Sequence, residues 1–319
     1  MSRAGEPGTV LIAGMRLEAD GVMSLELRAG DGQPLPAWEA GAHIDVHLPS
    51  GTIRQYSLCG DPQESGCLRI AVLREEKGRG GSREVHDGLR VGMSIRIGAP
   101  RNAFALADAE EYQFVAGGIG ITPILPMILA AERAGKPWHL VYGGRSRRSM
   151  AFLDRLAGFP GGRVEILPAD ECGLLDLQRI AARAAAGAHT YSCGPGVLFD
   201  ALTAEFDARE LGHRLHLERF SAAPLPVSSA EGDLTVVLAR SGREIVVAAD
   251  CTVMNALRAN GVEVPSSCEQ GVCGMCETRV LEGEVDHRDM LLTETERARN
   301  NVMMVCVSRG RCSRLVLDL

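Results

Sequence analysis

The chain has 319 residues, 45% of them hydrophobic, and a formal net charge of -7. That length points to more than one domain, and the acidic balance excludes a broad polyanion-binding surface, so nucleic acid is not expected as a partner. No run of apolar residues is long enough to span a bilayer and the first residues hold no apolar signal core, so no membrane association and a cytoplasmic location are expected.

The first third reads as all-β. Short apolar runs recur at Thr9–Ile12, Met23–Leu27, Ile44–Leu48, Leu68–Leu73 and Met93–Ile97. Clusters of Gly, Pro, Asp and Ser separate them, the pattern of an antiparallel barrel or sandwich. Two short motifs lie here. I-R-Q-Y-S-L at 53–58 ends a strand and carries Arg54, Tyr56 and Ser57; K-G-R-G-G-S at 77–82 is a basic, Gly-rich turn. Each is weak alone.

Near residue 110 the pattern changes. E-Y-Q-F-V-A-G-G is a buried strand running into a turn, and T-P-I-L-P-M-I-L-A-A-E-R-A-G a helix with Ile121, Leu125, Ile128 and Leu129 on one face and Gly135 at its end. Strands at W-H-L-V-Y-G-G, R-V-E-I-L-P-A and H-T-Y-S-C-G alternate with helices at M-A-F-L-D-R-L-A-G-F, D-L-Q-R-I-A-A-R-A-A-A and V-L-F-D-A-L-T-A-E-F-D-A-R-E-L, the signature of an α/β parallel sheet. Gly117, Gly118 and Gly120 lie between strand and helix, where backbone N–H groups and the helix dipole receive phosphate. A plain tight turn explains the same residues. A second strand ends at Y-G-G-R-S and a third at Y-S-C-G-P-G, so Cys193, Gly194 and Pro195 share that sheet edge, where open parallel sheets bind nucleotides. Arg145, Arg147 and Arg148 follow the second strand as either a 2′-phosphate site or a solvated basic turn.

Residues 221–232, S-A-A-P-L-P-V-S-S-A-E-G, have linker composition. A hairpin turning at Ser241–Gly242, a short helix at T-V-M-N-A-L-R-A-N-G and a closing strand R-L-V-L-D-L frame the remainder. Within it, Cys268, Cys273, Cys276 and Cys306 are spaced by four, two and 29 residues, the plant-type [2Fe–2S] pattern. Three thiolates on one loop reach two irons from one side and a distant fourth closes the set. A zinc ribbon would need two C-x-x-C pairs, and one is present. The other cysteines have no such company.

Taken in order, R-x-Y-S, G-R-G-G-S, P-R-N at 100–102, G-G-I-G-I-T-P, C-G-P and the cysteine module resemble the phthalate dioxygenase reductase family, which includes vanillate demethylase reductases. The resemblance covers nearly the whole chain. It implies a multidomain protein: an FMN-binding antiparallel β-barrel at 1–105, a NAD-binding α/β domain at 106–225 and an α+β, β-grasp ferredoxin domain at 226–319. It further implies FMN contacts at Arg54, Tyr56, Ser57, Ala71, Val72, Leu73, Gly81, Ser82, Thr122 and Phe220. Phe220 reads equally as a core phenylalanine. Leu73 replaces a basic residue, for which Arg74 is the expected substitute. Cys193 is expected to help position the nicotinamide or to serve as a structural turn residue, with no nucleophilic role.

The implied function is the reductase of a two-component Rieske-type oxygenase or O-demethylase, a monomer carrying electrons from NADH, rather than NADPH, through FMN and the cluster to a separate terminal oxygenase. Nicotinamide releases two electrons together, a ferredoxin-type cluster accepts one, and flavin mediates between them. The alternatives are a stand-alone NAD(P)H oxidoreductase with a small-molecule acceptor, and a redox-sensing iron–sulfur protein without turnover.

Overall fold

The computed structural model describes residues 8–30, 34–159, 163–220, 232–266, 268–272 and 274–319. The chain divides into two compact units, Met1–Phe220 and Ser221–Leu319. The expected linker lies almost wholly outside the described residues, as does Cys273.

In the first unit the short N-terminal runs pair as an antiparallel sheet. Strands β1 (Gly8–Ala19), β2 (Val22–Ala29), β3 (Ala42–His47), β4 (Ile53–Ser57) and β5 (Leu68–Leu73) precede helix α1 (Gly81–Gly88), and β6 (Ser94–Ile97) and β7 (Arg101–Asn102) follow it. Their spatial order is β4-β3-β6-β1-β2-β5, with β7 on β3. The two ends of this path meet at the Leu58–Ile70 bridge, extended by Cys59 N–H donating to the Arg69 carbonyl at 2.8 Å. The sheet thus closes on itself and leaves few unpaired edge groups. Ile12, Leu25, Leu27, Ile44, Leu58 and Ile70 are fully buried in its core. Strand β1 runs on to Ala19, past the expected Ile12, through a register shift between Ile12 and Gly14. The P-R-N triplet is a brace. Arg101 grips the buried Asp45 with two bonds of 2.7 and 2.9 Å, and Asn102 donates to the Ala40 carbonyl while accepting from Phe104 N–H.

The chain then alternates: β8 (Tyr112–Gly117), α2 (Ile121–Arg133), β9 (Trp138–Gly144), α3 (Leu153–Ala157), β10 (Arg163–Pro168), α4 (Ala169–Cys172), α5 (Leu177–Ala185), β11 (His189–Cys193), α6 (Gly196–Asp207) and β12 (Leu215–Glu218). The five strands are parallel in the order β10-β9-β8-β11-β12. Strand order reverses between β8 and β11, and that switch point is where such sheets open a crevice for ligands. Helix α2 is buried on nearly every side of its first two turns, whereas the expected face residue Leu129 is only half-buried. Of M-A-F-L-D-R-L-A-G-F only Leu153–Ala157 is helical, because Phe152 stands at φ 64° and starts the helix late.

One core joins these two layers. Phe114, Tyr142 and Tyr191 pack in the same cluster as Cys59, Ala71 and Phe104. Arg155 of α3 donates to the Cys59 carbonyl at 2.8 Å, and Arg133 of α2 pairs with Asp61.

The second unit holds β13 (Leu234–Leu238), β14 (Glu244–Val247), α7 (Val253–Ala259), β15 (Glu277–Glu282), β16 (Val285–Asp286), α8 (Glu294–Arg299), β17 (Val302–Met304), β18 (Arg309–Gly310) and β19 (Arg314–Leu317). A mixed sheet runs β14-β13-β19-β15-β17, parallel between β13 and β19, and β16 pairs with β18 apart from it. The hairpin turns at Gly242, φ 68°, as expected. Val253, Met254 and Leu257 of α7 belong to this unit's buried core. Among the described residues no helix is long and apolar enough to cross a membrane.

His43 on β3 gives the first unit a pH signature. Its Nε2 is buried without a hydrogen-bond partner among the described residues, and burial, then the Arg101 charge, lowers its pKa to about 4. The ring is therefore neutral in the fold and titrates near 6.5 once unfolded. Its contribution is present above pH ~6.5 and is lost as pH falls toward 4, about 3 kcal/mol in all. Urea denaturation at pH 7 and pH 4.5 is expected to show this fall in wild type and a smaller one in His43→Gln.

Candidate functional site

The residues expected around a flavin fall on β4, β5, α1 and the start of α2. Arg54, Tyr56 and Ser57 lie on β4, and Ala71, Val72 and Leu73 on β5, which neighbours both β4 and the Gly118–Gly120 turn. Ala71 shares a buried cluster with Ile121 of α2. Thr122 is buried, its hydroxyl donating to the Ile119 carbonyl at 3.0 Å. Burial raises the Tyr56 pKa, so its hydroxyl remains a proton donor at neutral pH.

Helix α1 begins after Gly80, held at φ 87°, and has no side-chain cap. A Cβ on Gly81 would lie 2.7 Å from Arg54 Cγ and Nε, so the guanidinium stem lies across the helix start. Ser82 Oγ accepts from Glu75 N–H at 3.0 Å and orders the turn. Uncapped N–H groups, a helix dipole and an adjacent arginine form a fitting cradle for a phosphate. Arg74 does not replace the basic residue missing at Leu73: Glu76 and Asp87 hold its guanidinium at 2.7 and 2.5 Å.

At the carboxyl edge of the parallel sheet, the two glycine loops interlock. A Cβ on Gly120 would fall 2.1 Å from the Cys193 carbonyl oxygen, and one on Gly117 2.7 Å from Pro195 Cδ. One on Gly194 would lie 3.0 Å from Gly117 Cα. Gly117 and Gly120 thus have a packing reason to be glycine, independent of any ligand. Gly118 differs: it stands at φ 55° with nothing within 4 Å of a Cβ, open at the strand end. Together the loops place Gly117, Gly118, Gly120, Cys193, Gly194 and Pro195 at the switch point. The Cys193 thiol is fully buried, which raises its pKa well above the ordinary value and keeps it protonated.

Two of the basic trio after β9 are held by carboxylates elsewhere. Arg147 forks onto Glu171, at 3.2 and 2.7 Å, and Arg148 pairs with Asp20 at 3.1 Å. Both line a cleft of about 740 Å³ with Arg69, Asp154 and Arg155. Carboxylates already occupy two of the three cations proposed for a 2′-phosphate.

A group the sequence reading passed over stands beside Cys193. Glu218 ends β12, in register with Cys193, and its buried Oε2 has no hydrogen-bond partner among the described residues. Burial raises its pKa to about 8. The local signal was slight: an acidic residue closing a four-residue strand on the face opposite its two leucines. Two residues on, Phe220 is 39% exposed, which counts against its being a core phenylalanine.

In the second unit Cys268, Cys276 and Cys306 are all buried. Gln270 N–H donates to Cys268 Sγ at 3.3 Å, and Gly271 N–H to the Cys306 sulfur. A side-chain hydrogen bond with Cys306 lowers the Cys276 pKa and raises its partner's. Gly271 and Gly274, at φ 70° and 75°, give the loop its curvature. Cys276 and Cys306 meet, Cys268 lies buried on the same loop with an N–H on its sulfur, and this donor set suits an iron–sulfur cluster, although the described residues by themselves bring no three metal-ligating side chains together.

Residues 236–310 match the family of 2Fe-2S iron-sulfur cluster binding domains. The chain is 47% identical to phenoxybenzoate dioxygenase subunit beta of Ectopseudomonas oleovorans, over 98% of both chains. It is 43% identical to a vanillate O-demethylase oxidoreductase of a Pseudomonas species, covering 97% of this chain and 99% of the other. Among solved structures, an intact type IV self-sufficient cytochrome P450 monooxygenase is 45% identical with a TM-score of 0.87; the match covers 98% of this chain and 41% of that one. Phthalate dioxygenase reductase, described as a modular structure for electron transfer from pyridine nucleotides to [2Fe–2S], is 36% identical with a TM-score of 0.72 and 98% of each chain covered.

Glu218 carries a measurable mark. Its raised pKa means that folding is favoured by this group below pH ~4.5 and opposed as pH rises through about 8, with a full cost of roughly 5 kcal/mol above that. Glu218→Gln is therefore expected to unfold at higher temperature than wild type at pH 9, and to match it closely at pH 4.5, in thermal melts.

Proposed function

Because the chain belongs to the phthalate dioxygenase reductase-like family, we propose that it is the reductase component of a two-component oxygenase or O-demethylase system, drawing on NADH and delivering electrons to a separate Rieske-type oxygenase. It is an oxidoreductase, as its relatives are. The observation that carries the reading is the meeting of Cys276 with Cys306 beside the buried Cys268, on the same chain as a strand-edge crevice and a phosphate cradle.

The residues divide the work by position. Arg54 and the start of α1, with Gly81 and Ser82, would hold the FMN phosphate. Tyr56, Ser57, Ala71, Val72, Leu73 and Thr122 would border its ring, with Phe220 at the exposed end of β12. The Gly117–Gly120 and Cys193–Pro195 loops would take the nicotinamide nucleotide, with Gly118 as the open backbone position. Cys193 stays a thiol and contributes shape. Cys268, Cys273, Cys276 and Cys306 would ligate the cluster. When bound, the flavin exchanges an electron pair for single electrons, which a hydride donor and a one-electron cluster together require. We read the closed antiparallel sheet, the parallel sheet and the mixed sheet as the barrel, nucleotide and β-grasp ferredoxin domains, at 1–105, 106–225 and 226–319. A cytoplasmic, monomeric protein suits this role, and the weak, transient docking typical of redox partners suits its oxygenase encounter.

Glu171 supports NADH over NADPH, since a second phosphate would have to displace it from Arg147. Glu171→Gln is expected to lower KM for NADPH about tenfold, the scale of one charge-assisted contact, with KM for NADH little changed.

Anaerobic titration with NADH is expected to bleach both flavin and iron–sulfur absorption. In Cys276→Ser, flavin bleaching should persist while iron content and electron delivery to the oxygenase are lost. Protein isolated with intact iron and sulfide but no flavin would refute the FMN assignment.

A further inference from the structure

Two buried polar groups of the second unit, His287 and Asp289, sit on the segment against which the cysteine loop rests and meet an arginine from α8; each of the three has an atom unpartnered among the described residues. Asp289 has no side-chain exposure. Its Oδ2 accepts from Leu291 N–H at 3.1 Å and Leu292 N–H at 2.8 Å, while Oδ1 has no hydrogen-bond partner. His287, nearly as buried, faces Oδ1 at 3.7 Å with neither ring nitrogen hydrogen-bonded. From α8, Arg297 donates to the Asp289 carbonyl at 2.5 Å and stands 3.9 Å from Oδ2; its own Nε is buried without a partner.

The backbone of the same segment seats the loop. Met290 N–H donates to the Gly271 carbonyl at 2.9 Å. A Cβ on Gly271 would lie 2.6 Å from Val307 Cγ2 and 3.0 Å from Asp289 Cα, and one on Gly274 3.0 Å from Leu291 Cδ2. The turn capped by the Asp289 carboxylate is thus pressed on the loop between Cys268 and Cys276, whose Gly271 also lies against the residue after Cys306.

We infer that Asp289, braced by His287 and Arg297, is a positioning residue that seats the cysteine loop and, through its buried negative charge, holds down the reduction potential of the cluster ligated there. The inference rests on the cluster reading of Cys268, Cys273, Cys276 and Cys306. Reduction adds a negative charge to the cluster. A carboxylate removed from solvent opposes it with little screening. The neighbouring charged groups are Arg297, 37% exposed at its side chain, and the Asp286–Arg288 pair, bonded at 2.6 Å and largely self-neutralising. Asn at position 289 would keep an oxygen for the Leu291 and Leu292 N–H groups and remove only the charge.

The test is spectroelectrochemical titration of the cluster in full-length holoprotein, with iron, sulfide and electron paramagnetic resonance measured alongside. D289N with full iron content is expected to favour the reduced form about tenfold more than wild type, a rise near 59 mV for one electron. R297Q is expected to move the potential the opposite way by a smaller amount, since its charge is partly screened. A D289N protein with intact cluster and unchanged potential overturns the inference. Should D289N fail to retain iron, R297Q decides: a lowered potential supports the inference and an unchanged one overturns it. Wild-type protein isolated without iron and sulfide would remove the cluster reading instead, before any potential is compared.

Discussion

Two loops meet backbone to backbone at the switch point of the parallel sheet, and the first unit is arranged around that approach. With a Cβ at Gly120 only 2.1 Å from the Cys193 carbonyl, no larger residue fits without moving β8 or β11. The close approach fixes the start of α2, and with it Ile121 and Thr122. Ile121 packs with Ala71 of β5, so the same backbone constraint links the nucleotide edge to the strand expected beside the flavin. Glycine serves here chiefly to let one part of the protein touch another, and of Gly117, Gly118, Gly120 and Gly194 it is Gly118 that is left open.

Much of the architecture was legible because it depends on local periodicity and turn chemistry. The strand runs before residue 100 each fall in a β-strand, and strand–helix alternation gives the parallel sheet. The cysteine spacing is similarly local: Cys276 of the loop meets the later Cys306, while Cys273 is not among the described residues. What escaped was partnership across elements. Nothing adjacent in sequence ties Arg147 to Glu171, Arg74 to Asp87, or Arg148 to Asp20. These pairs redirect three arginines that their sequence neighbourhood offered to phosphates. Glu218 escaped for a related reason: its burial comes from its place at the end of β12 beside Cys193, which four residues of pattern do not disclose.

The second unit applies the same economy of backbone at the cysteine loop. Gly271 and Gly274 bend it, Gln270 and Gly271 turn N–H groups to sulfur, and the Asp289 turn supplies the seat. Each contact is short-range, so the loop's shape follows from its own sequence and one supporting segment. The supporting segment D-H-R-D-M-L-L lacks any cysteine, yet it holds the buried Asp289 and His287 side chains. Ligation and electrostatic control are thereby assigned to different stretches of chain.

Strand β12 has only four residues and pairs with β11 alone. Along it, alternate side chains face opposite sides of the sheet, so dropping a single residue between Gly212 and Leu217 would turn Glu218 away from Cys193 and bring Arg219 into its place. Extra residues inserted after Phe220 would leave that phase intact. For anyone recombining modules of this kind, the seam beyond position 220 is the permissive place to cut, and the few residues before it are the worst.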